Sequence, residues 1–182
     1  MVRTIRRRAG GPGAGRRGFT LVEVAVATAI VGIGVAAIMV AAASTTHVND
    51  AGRKLTQAVF IAQELREWTL KLPFSDQDPG DAGNPPGPDG SDPQVFIDDL
   101  DDLSNFDGNG ITYEPPRDGQ GMAMANMAGW SEQIVLTWRD PSDLTQAVAE
   151  GASDVIDVQV TVRYGGRDIL STSWLVARRE DE

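Results

Sequence analysis

Hydrophobic positions follow three different rhythms along the chain. From Val24 to Thr46 no charged residue interrupts a run rich in Val, Ala, Ile, Gly and Met. At the α-helical rise of 1.5 Å per residue, these about 23 residues span roughly 35 Å, enough to cross a hydrocarbon core of about 30 Å. Beyond the run, Leu55, Ala58, Val59, Ala62, Leu65, Thr69 and Leu72 recur at spacings of three and four. Arg53, Lys54, Gln57, Gln63, Glu64, Arg66, Glu67 and Lys71 mostly fill the other side, which is the pattern of an amphipathic helix. Pro73 cannot continue it, so the pattern predicts one helix from about Leu21 to Leu72, roughly 75–80 Å long. Gly32, Gly34 and Gly52 weaken that helix by about 1 kcal/mol each relative to alanine; equally, Gly32 and Gly34 permit close helix packing.

In the last third the period falls to two. Ile134, Leu136 and Trp138 alternate with Gln133, Val135 and Thr137, and Asp140-Pro141-Ser142-Asp143 closes that strand. Ile156, Val158, Val160, Val162 and Tyr164 alternate in the next strand, Gly165-Gly166 turns the chain, and Asp168 to Ala177 returns as the other arm of a hairpin. Three antiparallel strands need cover for their apolar face, and the second half of the long helix offers it. The expected fold class is therefore α+β, a long helix packed on a small antiparallel sheet. Between helix and strands, residues 74–121 are rich in Asp, Gly, Pro and Asn and read as an exposed, partly mobile loop, whose inner stretch 76–93 can bury almost nothing. Met122, Met124 and Met127 form a flexible approach to the first strand. The expected divisions are 1–18 as a basic leader, 19–46 as an apolar helix and 47–72 as its amphipathic continuation. Residues 73–129 then make the acidic loop region and 130–182 the sheet region.

Charge orients this arrangement. The chain carries −10 overall, but Arg3, Arg6, Arg7, Arg8, Arg16 and Arg17 precede Gly18 with no acid among them. The remainder holds 10 bases against 26 acids, a net of −16. Arginines before the apolar run and acids after it place the N-terminus in the cytoplasm and the body outside, by the positive-inside rule. So acidic a body is not expected to bind nucleic acid. The absence of cysteine excludes disulfides and thiolate metal sites.

One residue does not suit a plain membrane anchor. Glu23 stands at the head of the apolar run, where a carboxylate is costly to keep unpaired. A signal anchor tethering an extracytoplasmic binding module has no use for it. A cleaved secretory signal, suggested by Ala41-Ala42-Ala43-Ser44 and by Arg16-Arg17-Gly18-Phe19, would be long for its type and would tolerate the acid poorly. The third reading uses it. Gly18-Phe19-Thr20-Leu21-Val22-Glu23, after a basic leader and before an apolar helix, resembles the processing signal of the type IV pilin and type II secretion pseudopilin superfamily.

The resemblance implies cleavage after Gly18 by a membrane peptidase, N-methylation of Phe19, and a role for Glu23 in assembly. Cleavage leaves a cationic amine on Phe19, and Glu23 of one subunit would meet the amine of its neighbour in a medium where unpaired charge is expensive. The implied partners are the prepilin peptidase and methyltransferase, other pilins or pseudopilins bound through the N-terminal helix, and an inner-membrane assembly platform. The implied location is the bacterial inner membrane, crossed once, with the C-terminal body in the periplasm. Within the superfamily the first 72 residues look most like a minor component, of the PilV or GspI kind.

Catalysis and metal binding draw less support. His47 is the only histidine, no cysteine occurs, and no phosphate-cradling GxxxxGK[ST] is present, so the chain is expected not to be an enzyme and to need no cofactor. Asn105-Phe106-Asp107-Gly108-Asn109-Gly110 resembles the start of an EF-hand loop, yet Asn105 replaces the leading aspartate and Pro116 sits where the bidentate glutamate belongs. A looser calcium site on Asp101, Asp102, Asn105, Asp107 and Asn109 stays open beside the favoured reading, a solvated acidic loop.

Overall fold

The computed structural model describes residues 18–75, 86–88, 97–104 and 110–179. The chain divides into two compact units, Met1–Val48 and Asn49–Glu182. One continuous helix, α1 (Leu21–Thr69), contributes to both. A single 3-10 turn (Asp101–Leu103) and five strands follow: β1 (Ile111–Tyr113), β2 (Trp130–Asp140), β3 (Asp143–Ala147), β4 (Val155–Tyr164) and β5 (Arg167–Ala177). This is the expected α+β arrangement.

In the first unit, α1 leaves its apolar side chains uncovered. Ile30, Ile33, Ile38 and Val40 are all well exposed, and this is the described helix long and apolar enough to cross a membrane.

In the second unit the helix has a buried stripe, made by Ala58, Ile61, Ala62, Leu65, Trp68 and Thr69. That stripe differs from the expected one. Leu55 and Val59 are exposed, while Ile61 and Trp68 take their places, so the covered face is rotated toward the larger side chains. The helix also ends three residues before Leu72. Lys71 N–H turns back to the Trp68 carbonyl at 2.9 Å, because Pro73 disfavours helical geometry in the residue before it. Arg179 then covers the open end by donating to the Leu70 carbonyl at 2.7 Å.

The sheet runs β1-β2-β4-β5, with β3 also pairing β2, and every pairing is antiparallel. Register aligns the inward residues. Ile134, Leu136 and Trp138 lie opposite Val160, Val158 and Ile156, and β4 in turn places Val158 opposite Trp174. The β4–β5 hairpin closes through Gly165 and Gly166, whose φ angles of 56° and 75° suit a tight turn matching the strand twist. Helix and sheet are tied by the Trp174 indole, which donates to Thr69 Oγ1 at 3.2 Å.

The region read as an exposed loop contributes to this core. Phe74, Leu100, Leu103, Ile111, Tyr113 and Met124 are all buried, and Ile111–Tyr113 pairs with β2 as the edge strand β1. Met127 packs against the core as well, leaving Met122 as the exposed one of the three methionines. Residues 114–124 form a strap. Arg117 and Ala123 bridge across it, Gly119 N–H donates to Glu64 at 2.9 Å, and Lys71 Nζ donates to the Gly119 carbonyl at 2.8 Å. Gly121, at φ 75°, lies so close to Trp68 that a Cβ would sit 2.7 Å from the indole. Only glycine fits there.

Candidate processing and assembly site

Gly18 and Phe19 precede the helix in irregular, exposed chain. Nothing lies within 4 Å of where a Gly18 Cβ would be, and Phe19 is 87% exposed. Both residues that flank this peptide bond are exposed. Two residues later the helix begins with a reciprocal cap. The Thr20 N–H and hydroxyl both donate to Glu23 Oε2 at 2.9 Å, and Glu23 N–H donates to Thr20 Oγ1 at 3.2 Å. This is a capping box, which satisfies backbone donors that a helix start leaves open. Glu23 therefore has a partner within its own chain, and the Thr20-x-x-Glu23 spacing was the readable signal for it. The bonds use Thr20 and Glu23 alone, so cutting before Phe19 removes none of their atoms.

The other acidic positions sort differently from expectation. Asp98, Asp99 and Asp102 each place a carboxylate oxygen within 4.8 Å of the others, near enough to share one divalent cation. Asp99 and Asp102 are buried rather than solvated. Their bonds are mutual: Asp99 Oδ1 accepts from Asp102 N–H at 3.0 Å, and Asp102 Oδ2 accepts from Asp99 N–H at 3.4 Å as well as from Asp98 N–H at 3.0 Å. Burial pushes both carboxyls above the usual range, their neighbours' negative charge adding to it. Asp101 is not in that group; its Oδ1 accepts from Gly87 N–H at 3.2 Å. Asn105, Asp107 and Asn109 lie outside the described residues.

Sequence reasoning missed Glu132. It falls on the inward face of β2, opposite Tyr113 and Val162, and is fully buried. Its Oε1 accepts from Arg117 N–H at 2.8 Å, while its Oε2 and the Tyr113 hydroxyl have no hydrogen-bond partner among the described residues. Burial pushes the Glu132 carboxyl up to about 8 against the pull of the Arg117 N–H and charge. The Arg117 guanidinium lies 4.6 Å from the centre of the Tyr113 ring. The only forewarning in the sequence was its even spacing from Ile134, Leu136 and Trp138.

Residues 13–39 match the family model of the prokaryotic N-terminal methylation motif. The match takes in Gly18, Phe19 and Glu23 together with the first part of α1. The chain thus carries a type IV pilin-like prepilin motif. Neither a curated protein nor a solved structure matches it.

Proposed function

We propose that this chain is a pilin-like or pseudopilin-like structural subunit, a minor component that primes or joins a type IV pilus or a type II secretion pseudopilus. In this reading a prepilin peptidase cuts between Gly18 and Phe19, and Phe19 is N-methylated. The chain sits in the bacterial inner membrane with its leader in the cytoplasm and the sheet unit outside. Neighbouring subunits bundle through the helix from Phe19 to Thr46, delivered by the assembly platform. The observation that carries the reading is the methylation motif at residues 13–39 set at the head of a helix whose apolar side chains are uncovered. A segment so apolar calls for lipid or other helices around it.

Glu23 has two roles in this account. The capping box fixes the first turn, and the carboxylate faces the amine that processing creates on a neighbour. Mass spectrometry of the N-terminus, on protein taken from its native membrane, tests the proposal. A chain beginning at N-methylated Phe19 supports it, and Glu23→Ala should then reduce incorporation into filaments. A chain beginning near Ser44 would make this a secreted domain, and an intact Met1 would make it a tethered module.

A further inference from the structure

The second unit holds a cleft of about 250 Å³ that the filament reading does not use, lined by Asp50, Arg53, Lys54, Gln57, Asn126, Ala128, Trp130 and Tyr164. Its walls are fixed. Trp130 N–H donates to the Met127 carbonyl at 3.0 Å and Gly165 N–H to the Gly129 carbonyl at 2.8 Å, holding the turn and the hairpin tip on either side. Asn126 keeps a left-handed φ of 62° in that turn. Trp130 and Tyr164 meet with ring centres 5.0 Å apart, their planes inclined at 51°, and form an aromatic wall.

The charges in the cleft contrast with those of the surrounding chain. Lys54 is held by Asp50 at 2.7 Å and lies 4.9 Å from the centre of the Tyr164 ring. Arg53 is exposed and has no ion-pair or hydrogen-bond partner among the described residues, in a chain where acids outnumber bases 26 to 16. Two cations against one carboxylate leave the cleft with one positive charge in excess. A singly charged oxyanion completes it, and a guanidinium beside an ammonium suits the oxygens of a phosphate. An aromatic wall next to them suits a polar group with an apolar backbone.

We propose that this cleft binds the headgroup of a net-anionic glycerophospholipid of the phosphatidylglycerol kind, with Arg53 and Lys54 on the phosphodiester oxygens and Tyr164 against the uncharged headgroup glycerol, a headgroup cation such as choline being refused by the cleft's own positive charge. The assignment to a lipid rests on the membrane-anchored reading above. Arg53 follows Thr46, the end of the uncharged run, by seven positions, so a chain held by that run keeps the cleft tethered near headgroups at high effective concentration. The strongly acidic remainder of the chain repels an anionic surface as a whole, which confines the attraction to this site.

Native mass spectrometry of the full chain, released from mixed micelles containing phosphatidylglycerol or phosphatidylcholine, tests the proposal. One phosphatidylglycerol per chain should be retained, at least tenfold in preference to phosphatidylcholine, and soluble glycerophosphoglycerol should displace it. Arg53→Glu and Lys54→Gln should each cut retention tenfold or more while leaving thermal unfolding unchanged. Equal retention of the two lipids, or retention unaltered in both variants, would overturn it, the lipid being held by the apolar helix alone. Displacement by inorganic phosphate as readily as by glycerophosphoglycerol would reduce the cleft to a general oxyanion subsite and overturn the lipid assignment. Displacement by an acidic peptide at lower concentration would reassign it to a protein partner. Loss of the anchor reading would be seen separately, as a chain recovered from cells without its apolar run, and glycerophosphoglycerol binding would still score the cleft.

Discussion

Along α1, similar side chains meet opposite fates. Ile33 and Ile38 are 72% and 70% exposed, whereas Ile61 and Leu65 are wholly covered. The difference lies in what each stretch has to pack against. Ala58 to Thr69 meets a sheet whose inward face supplies Ile134, Val158 and Val160, while the stretch before Val48 has no sheet of its own. Apolar area kept in water costs roughly 25 cal/mol per Å², so the first stretch carries a driving force that its own chain does not use. It is left for lipid or for other copies of such a helix. One stretch stabilises the fold, and the other is available for anchoring and assembly.

Truncation should separate the two stretches most widely. Leu65→Ala should cost about 2–5 kcal/mol in urea unfolding of the full chain in detergent. Ile33→Ala should shift the same transition by less than about 0.5 kcal/mol. Equal shifts would end the distinction.

The two glutamates extend the comparison to charge. Glu23 is exposed and capped, whereas Glu132 is buried with its carboxyl raised to about 8. The folded chain keeps a proton on Glu132 that the unfolded chain releases near pH 4.5, so stability should fall as pH rises through the window from 4.5 to about 8. Between pH 4.5 and 7 the loss should be on the order of 3 kcal/mol. Glu132→Gln should make that slope shallower by its own share, and the raised carboxyls of Asp99 and Asp102 should leave a remaining slope of the same sign. A profile as steep in the variant as in the parent chain would assign the slope elsewhere. A smaller and purely local effect is expected of Thr20→Ala. Hydrogen exchange at Glu23 should quicken about fivefold as the cap is lost, with global unfolding unmoved. Least of all, Asp154→Asn, which breaks the exposed pair to Arg178 at 2.9 Å, should change stability by no more than about 0.5 kcal/mol.

Such contrasts also explain which parts of the molecule the sequence disclosed. β2 and β4 were legible because each has one covered face, which a period of two records directly, and β5 because the Gly165-Gly166 turn sends the chain back along β4. β3 lies wholly exposed and so carries no alternation, and β1 is three residues long, too short to display any period. The helix stripe was misplaced because Leu55 and Val59 are apolar yet uncovered, and composition does not say which apolar positions find a neighbour. Asp102 read as part of a solvated loop because its burial comes from the fold around it, and Glu132 went unnoticed because the Arg117 amide that receives it is brought to β2 by the strap. The Gly18 to Glu23 motif was fully readable, since its chemistry is contiguous. The cleft was not, because Arg53, Trp130 and Tyr164 meet only once helix, turn and hairpin have come together.

The tie between Trp174 and Thr69 joins positions 105 residues apart. A ribosome adding roughly 5–20 residues per second needs about 5–20 s to make the intervening chain. For that interval Ile61, Leu65 and Trp68 are without the sheet that will cover them, and the helix bearing them is already complete. The β4–β5 hairpin pairs locally and can close as soon as it emerges, but the helix has to wait for it. A newly made chain therefore presents a sticky stripe during its synthesis, which a holding chaperone could shield.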